Sequence, residues 1–299
     1  MALTISFANQ KGGVGKTLTT SSVARILTLK GYKVLCVDMD PQRNLSMAAG
    51  KGIAIEPYDK ESLSVLNVLK GECSVQEAVV PTPMGDMLRA SSYLTQWNSS
   101  LTITPEEYEL VKENPKELRK ICDQRILNQA SKQATLYRSL RNVQGDYDFI
   151  LVDANPSLTL VTLNCLYASD GVVIPALCER TSIVAVTELI NTVDTLVQYN
   201  YGRNIEILGI LMTRCERRTT AFKRYIDFYS SFAAAFETKL FQANIQKNAR
   251  AASCSDGFSN LVDWDRNGPA TQDYFQFTDE LLEEIHKRFE EKDDEPNVC

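Results

Sequence analysis

The sequence predicts an α/β fold in which helices flank a mostly parallel central sheet. Short apolar runs that favour strands alternate with longer stretches of helical spacing, and continuous apolar strands are typical of a sheet covered on both faces. The strand candidates are residues 3–8, 33–38, 148–153, 171–175 and 205–213, and the helix candidates are residues 18–29, 158–168, 182–199 and 220–236. Ligands of such sheets bind beyond the carboxyl ends of the strands.

We expect one domain over residues 1–299, with two segments that depart from this alternation. The length of 299 residues is sufficient to bury a sizeable core. The segment of about 93–132 is polar and contains Pro105 and Pro115, which predicts a mostly helical insertion on the surface. The segment of about 271–299 is predicted to form an acidic C-terminal helix and tail. Its apolar side is expected to pack on the body of the domain, because anionic lipid would repel its acidic side.

Composition argues against several kinds of chemistry. The eight cysteines are scattered without a C-x-x-C pair, so a metal cage or iron–sulfur cluster is not expected. The only histidine, His286, lies in a charged segment, and we interpret it as a solvated surface residue. No apolar run approaches the ~20 residues of a membrane span, and the N-terminus lacks the features of a signal peptide. We therefore expect a cytoplasmic protein without a membrane partner.

A glycine-rich loop joins the first strand to the first helix. Residues 9–17 read Asn-Gln-Lys-Gly-Gly-Val-Gly-Lys-Thr. Glycines let backbone N–H groups approach a phosphate closely, and the helix N-terminus adds partial positive charge. In such a loop, Lys16 reaches the β- and γ-phosphates and the Thr17 hydroxyl binds Mg²⁺. The loop therefore predicts a P-loop protein that binds and hydrolyses ATP with magnesium.

The loop departs from the usual phosphate-loop pattern in a way that resembles one family. Gln10 stands where the pattern begins with glycine, and a second lysine, Lys11, follows it. This form is similar to the deviant Walker A motif of the ParA/MinD ATPases, above all ParA proteins of the Soj kind, which lack an N-terminal DNA-binding domain. The resemblance covers most of residues 1–285. It implies that the nucleotide is bound by Lys11, Gly12, Gly13, Val14, Gly15, Lys16, Thr17 and Leu18.

The resemblance also implies roles for three aspartates. Residues 37–44 resemble the first switch segment of the family, in which Asp40 lies near the attacking water and the magnesium and Asp38 supports the loop. Residues 148–153 resemble a strand motif whose last residue, Asp153, would hold Mg²⁺ through water. A carboxylate beside the γ-phosphate can orient water and hold the shell of the metal. The implied catalytic residues are Lys11, Lys16 and Asp40, and the implied metal ligands are Thr17, Asp40 and Asp153.

Two positions depart from the family pattern. Asn155 stands where the segment after Asp153 usually has a proline. Leu18 stands where the family often has threonine, whose hydroxyl can contact the α-phosphate. Both departures leave open a degenerate ATPase that binds nucleotide and hardly hydrolyses it.

Lys11 implies a homodimer that forms when ATP is bound. In the family, this lysine reaches across the dimer interface to the phosphates of the partner subunit, so hydrolysis would dissolve the dimer. Residues 175–179 and the helix after them resemble the interface region of the family. Residues 211–214 and 245–248 occupy the places where the family builds its adenine pocket, and the implied contacts are Met212, Thr213, Ile245 and Gln246. Gln246 stands where the family usually has proline.

The distribution of charge along the sequence helps to decide whether such a dimer binds DNA. The net charge of −6 argues against nucleic acid, yet residues 214–250 contain eight basic and three acidic side chains. ParA-like members bind DNA non-specifically as dimers, and Arg218, Lys247 and Arg250 resemble their DNA contacts. We expect no sequence-specific DNA binding by this chain, because no helix-turn-helix is predicted before the glycine loop. A ParB-like partner would supply that binding and would stimulate hydrolysis.

These features together predict a ParA-type ATPase that acts on the nucleoid to partition a plasmid or chromosome. One alternative is a MinD-like or cargo-positioning ATPase that does not act on DNA. Another is a relative of the nitrogenase iron protein, which needs paired cluster-binding cysteines that Cys165 and Cys178 do not supply.

Overall fold

One eight-stranded sheet runs through the middle of the molecule. The computed structural model describes residues 1–50, 62–98, 112, 132–199, 203–254 and 259–290. Its strands are β1 (Leu3–Phe7), β2 (Val34–Asp38), β3 (Val79–Thr82), β4 (Gly85–Leu88), β5 (Phe149–Asp153), β6 (Gly171–Leu177), β7 (Glu206–Cys215) and β8 (Leu240–Gln246). Their order is β3-β4-β2-β5-β1-β6-β7-β8. Every neighbouring pair is parallel except β3 with β4.

Helices connect the strands and cover both faces of the sheet. Among the described residues they are α1 (Lys16–Leu29), α2 (Asn44–Ala48), α3 (Val65–Lys70), α4 (Val75–Ala78), α5 (Thr135–Arg141), α6 (Leu160–Ala168), α7 (Arg180–Tyr199), α8 (Thr220–Ala235), α9 (Ala249–Ser253), α10 (Leu261–Trp264) and α11 (Pro269–Ile285). A 3₁₀ turn covers Ser92–Asn98, and a π turn covers His286–Glu290.

The alternation of strand side chains divides the core into two clusters. In β5, Ile150 and Val152 join the cluster formed with α6, α7 and α8, whereas Phe149 and Leu151 join the cluster formed with α1 and α11. Successive residues of a strand point to opposite faces, so a strand that is apolar at every position needs helices on both sides. This arrangement confirms the predicted α/β fold.

The edges of the sheet differ from the sequence prediction. The antiparallel pair β3 and β4 was not predicted, because each strand has four residues and Pro81 interrupts the apolar pattern. Strand β6 continues to Leu177, although Pro175 suggested an earlier end. The missing N–H of Pro175 is tolerated because β1 pairs with β6 only as far as Val173.

The two unusual segments are described in part. Most of the predicted helical insertion at 93–132 lies outside the described residues, as do residues 291–299. Helix α11 begins with Pro269, an amino acid suited to a first turn, and packs Tyr274, Phe277 and Leu281 against the core cluster of α1. The apolar side of the C-terminal helix is therefore covered by the body, as expected, and His286 after it is exposed.

No helix in the described parts of the chain combines the length and apolar character that crossing a bilayer requires.

Candidate nucleotide-binding site

The glycine loop lies at the carboxyl edge of β1 and is anchored by one side chain. The Asn9 amide nitrogen donates to the Pro175 carbonyl oxygen at 2.7 Å, and its amide oxygen accepts the Lys11 backbone N–H at 2.9 Å. Gly13 and Gly15 have φ angles of +75° and +85°, a left-handed conformation that favours glycine. Gly15 caps α1, so the N–H groups of the first helical turn face the loop.

A cavity of about 420 Å³ lies over this loop. Its walls come from the loop, the start of α1, the first switch segment and residues after β5. The residues that line it include Gly12, Gly13, Gly15, Lys16, Thr17, Leu18 and Asp40. Six of the predicted loop residues and Asp40 therefore line one cavity. Val14 does not line it, because its side chain is fully buried.

Lys16 is buried at the base of this cavity. The residue is only 7% exposed, and its ammonium group donates to the Lys11 carbonyl oxygen at 3.2 Å. Burial lowers the pKa of Lys16, and the nearby carboxylates of Asp153 and Asp40 oppose that shift. A buried cation without a bidentate partner is placed to receive an anionic group.

Thr17 and Asp153 form a pair of oxygen groups beside Lys16. The Thr17 hydroxyl donates to one Asp153 carboxylate oxygen at 2.6 Å, while the other oxygen is buried without a hydrogen-bond partner in the described chain. Among the described residues, no three His, Cys, Asp or Glu side chains converge on one metal position. The set nevertheless fits Mg²⁺, which proteins bind through one or two groups together with substrate phosphates and water.

We predict that Asp153→Asn stabilises the ligand-free protein more at pH 8 than at pH 5.5. Burial, followed by the charge of Asp38, raises the pKa of Asp153 from 3.8 to about 8. A carboxyl group with a raised folded-state pKa loses stability as the pH rises between its unfolded and folded values. Asparagine does not ionise, so the variant does not lose this stability as the pH rises. Its amide oxygen can still accept the hydrogen bond from the Thr17 hydroxyl. Melting temperatures at both pH values measure the effect, with exposed Asp194→Asn as the control, and an equal or smaller gain at pH 8 contradicts the prediction.

Asp38 holds the first switch segment in place. It is fully buried, and its oxygens accept the Asp40 N–H at 3.1 Å and the Ser46 N–H and hydroxyl at 2.8 and 2.7 Å. Burial raises the pKa of Asp38 to about 6, although the bonds from Ser46 oppose the shift. This geometry matches the expectation that Asp38 supports the loop, and it leaves Asp40 facing the cavity.

Asn155 has a local role that the sequence did not reveal. Its side-chain oxygen accepts the Ser157 N–H at 3.0 Å, which closes a turn of the Asx type. The Thr162 hydroxyl donates to the Ser157 carbonyl oxygen at 2.5 Å and lies 3.3 Å from the Asn155 carbonyl oxygen. These bonds order the segment after β5 in place of the proline that the family pattern has there.

Lys11 lies outside the cavity, on the side of β6. Its ammonium contacts Glu179 and Thr181 at the start of α7, and the Thr181 hydroxyl donates to Glu179 at 2.9 Å. The Lys11 and Glu179 side chains are 23% and 45% exposed. In the described chain, Lys11 is therefore held by its own subunit at a solvent-accessible position.

A second cavity, of about 370 Å³, adjoins the first and shares Gly15 and Leu18 with it. Three of the predicted adenine-pocket residues, Thr213, Ile245 and Gln246, line it. Met212 does not line it, because alternate residues of β7 face opposite ways and Met212 is fully buried in the other core cluster.

The second cavity also has a wall that sequence reasoning missed. Tyr274 of α11 lines it, and its hydroxyl lies 3.1 Å from the Thr19 hydroxyl of α1. No local motif marks Tyr274, because only the packing of α11 on α1 brings it to the loop. Arg214, Lys247 and Asn248, which directly follow the predicted positions in sequence, also line this cavity.

The three predicted DNA contacts lie after β7 and β8 but differ in their surroundings. Arg218 is exposed and has no ion pair with any described residue. Lys247 pairs with Glu216 at 2.7 Å, and Arg250 pairs with Asp265 at 2.9 Å.

The neighbouring Arg217 has a structural role instead. It donates to the buried Asp273 carboxylate at 2.6 Å and to the Asn244 side-chain oxygen at 2.7 Å. Arg217 therefore ties the loop after β7 to β8 and α11.

These features define a class of protein. A glycine loop between a parallel strand and a helix, a buried lysine, and a threonine hydroxyl beside a strand-end aspartate are the features of a P-loop nucleotide-binding fold.

Comparison with known proteins agrees with this class. The AAA domain family matches residues 2–207. The chromosome partitioning protein ParA of Myxococcus xanthus is 29% identical over 93% of this chain and 87% of its own length. The sporulation initiation inhibitor protein Soj of Bacillus subtilis is 30% identical over 94% of this chain and 98% of its own length. The structure of cobyrinic acid a,c-diamide synthase from Mycobacterium smegmatis with bound ADP and magnesium superposes with a TM-score of 0.71, at 27% identity, and covers 97% of both chains.

The chain therefore belongs to the AAA domain family, within the group of P-loop partition ATPases that includes ParA and Soj.

Proposed function

We propose that this protein is an ATPase that binds ATP with Mg²⁺, closes into a homodimer and binds DNA without sequence preference. The observation that carries the proposal is the different placement of two lysines in one glycine loop. Lys16 is buried in the cavity over the loop, whereas Lys11 lies outside it, against Glu179 and Thr181. One lysine is thus available to a nucleotide of the same chain and the other to a neighbour.

ATP is the substrate that the two joined cavities support. A triphosphate over the loop and a base in the second cavity would be continuous at Gly15 and Leu18. The similar Mycobacterium smegmatis structure contains ADP and magnesium, which supports both ligands. When bound, Mg²⁺ neutralises phosphate charge and orients the oxygens for attack by water.

The residues of the cavity have separate tasks in this proposal. Thr17 and Asp153 would hold the metal, and Lys16 would stabilise the negative charge that develops on the phosphates. Asp40 positions the attacking water, because its carboxylate faces the cavity on a segment that Asp38 fixes.

Apolar exposure around the loop supports a dimer. Leu158 and Val184 are 49% and 54% exposed. They follow β5 and β6, the two strands that flank β1, so they lie on either side of the loop edge. Exposed apolar side chains around a charged centre are typical of a surface that is covered in a complex.

Lys11 links that dimer to the nucleotide. On dimerisation it would exchange Glu179 of its own chain for the phosphates bound by the partner subunit. Loss of the γ-phosphate would weaken that contact, and Lys11 would pair with Glu179 again. The ATP-bound state would therefore favour the dimer, and the ADP-bound state the monomer. A ParB-like protein that stimulates hydrolysis would then release the dimer from the nucleoid.

Arg218 is the side chain best placed to bind DNA phosphates. It is exposed beside Arg217, which fixes the loop, whereas Lys247 and Arg250 must first leave carboxylate partners. A dimer presents two copies of each residue, and the free energy of non-specific binding grows with the number of phosphates neutralised.

We predict that Arg218→Ala weakens binding to random duplex DNA about tenfold in the presence of ATP, because a dimer loses two phosphate contacts. The salt dependence of log K should become shallower by about 2. Biosensor titrations over a range of salt concentrations measure both changes, and Arg141→Ala on α5 is the matched control. If the native protein binds DNA equally with and without ATP, ATP-dependent DNA binding is contradicted. If Arg218→Ala binds DNA with the affinity of the native protein, DNA binding at this surface is contradicted.

The structure gives less support to a MinD-like function at a membrane. The apolar side of α11 is occupied by the core, and the helix would have to detach to insert into lipid. Sedimentation with anionic liposomes and ATP tests this alternative, and ATP-dependent co-sedimentation would favour it over DNA binding.

A further inference from the structure

Arg214 combines an unfavourable backbone conformation with a position beside the glycine loop. Its φ angle of +52° lies in the left-handed region, where a side chain other than glycine costs free energy. One terminal nitrogen of its guanidinium lies 3.4 Å from the Gly13 carbonyl oxygen. The preceding residue, Thr213, donates its hydroxyl to the Val14 carbonyl oxygen at 2.7 Å. The end of β7 is therefore fastened to the loop, and strain of this kind is characteristic of functional positions.

The charge of Arg214 is not neutralised within the described chain. Glu179 and Glu216 line the neighbouring cleft with it, but Glu179 contacts Lys11 and Glu216 pairs with Lys247. Arg214 itself is exposed and forms no ion pair with a described carboxylate. A guanidinium has five N–H donors, so the long contact to Gly13 leaves most of them available.

The junction of the two cavities marks where a bound nucleotide joins its phosphates to its ribose. That junction consists of Gly15 and Leu18, and the Leu18 side chain offers no hydrogen bond. Among the described residues, the cationic side chains that line the second cavity are Arg214 and Lys247, and of these Arg214 also contacts the loop.

We propose that Arg214 binds the α-phosphate of the nucleotide and supplies the contact that Leu18 cannot make. This inference rests on the proposed ATP binding and adds a nucleotide-positioning residue to it. The planar guanidinium suits a phosphate oxygen pair, which a lysine at this position would contact less well. The left-handed backbone holds the side chain at the cavity rim before the ligand arrives.

Arg214→Met tests the contact with ligands that differ in their phosphates. Competition against a fluorescent ADP, with Mg²⁺ present, gives the affinities for ADP, AMP and adenosine. We expect the variant to bind ADP and AMP about tenfold more weakly, with the affinity for adenosine changed less than about twofold. Arg214→Lys should show a smaller loss for ADP, and it carries the test if thermal melting shows that the methionine variant is unfolded. Arg224→Met, an exposed change on α8, is the control of equal charge.

The outcomes separate this inference from the proposed function. Unchanged affinity of Arg214→Met for all three ligands overturns the inference while ATP binding by the native protein stands. An equal loss for adenosine also overturns it, because the residue would then shape the base cavity rather than contact a phosphate. Failure of the native protein to bind ADP refutes the proposed function instead.

Discussion

Replacement of Lys16 by alanine should reduce ATP hydrolysis at least about 100-fold, because the cavity loses the cation that stabilises charge in the transition state. ATP affinity should also fall, by about tenfold or more, since a charge-assisted contact to the phosphates disappears. Burial lowers the pKa of Lys16, whereas the charges of Asp153 and Asp40 act in the opposite direction. Thermal melting of the variant therefore accompanies the assay, so that a loss of folding is not counted as a loss of activity.

Steady-state phosphate release and equilibrium nucleotide binding measure the two effects of Lys16→Ala. Lys70→Ala on α3 is the control, because Lys70 has only an exposed partner at 3.8 Å. Hydrolysis within about tenfold of the native rate would show that the buried lysine is not part of the machinery. A native protein that binds ATP and hydrolyses it hardly at all would support the degenerate ATPase instead.

Lys11→Ala should have a different effect, on assembly. The variant is expected to bind ATP close to normally and to remain monomeric with a non-hydrolysable analogue, under conditions in which the native protein dimerises. The reason is that Lys11 lies outside the cavity of its own chain, against Glu179 and Thr181. Its contribution to a nucleotide of the same subunit is therefore small.

Analytical ultracentrifugation with and without the analogue measures this assembly. Lys33→Ala, at the amino end of β2, removes an exposed lysine from the opposite edge of the sheet and serves as the control. A Lys11→Ala protein that dimerises normally contradicts the role of this lysine. A native protein that stays monomeric contradicts the dimer itself. Glu179→Gln offers a complementary variant, since release of Lys11 should favour assembly at lower nucleotide concentration.

The parts of the fold that could be predicted from the sequence are those whose pattern lies within a few consecutive residues. Strand β5 is apolar at each position before its terminal aspartate, and the glycine loop has its turn residues and helix start in consecutive positions. A short apolar run bounded by turn residues, and a loop motif of consecutive residues, can both be recognised from local sequence. The hairpin of β3 and β4 was not predicted, because these short, partly exposed strands at the edge of the sheet lack a continuous apolar run.

Sequence motifs identified cavity-lining residues that lie within a few positions of one another and missed those that distant segments bring together. Thr213 and Met212 are neighbours in sequence, but strand alternation sends one to the cavity and the other to the core. The contact of Lys11 with Glu179 depends on the path of the chain after β6. Neither arrangement has a signal in composition or spacing, because packing decides it.

The tyrosine wall of the base cavity has a consequence for how the protein is made. Thr19 and Tyr274 are 255 residues apart along the chain, yet their hydroxyls meet. A ribosome exposes the glycine loop long before it has translated the helix that completes the pocket. The nascent protein would thus lack a complete second cavity through most of its synthesis. If that cavity binds the base as proposed, tight nucleotide binding would coincide with the docking of α11 rather than with the folding of the loop.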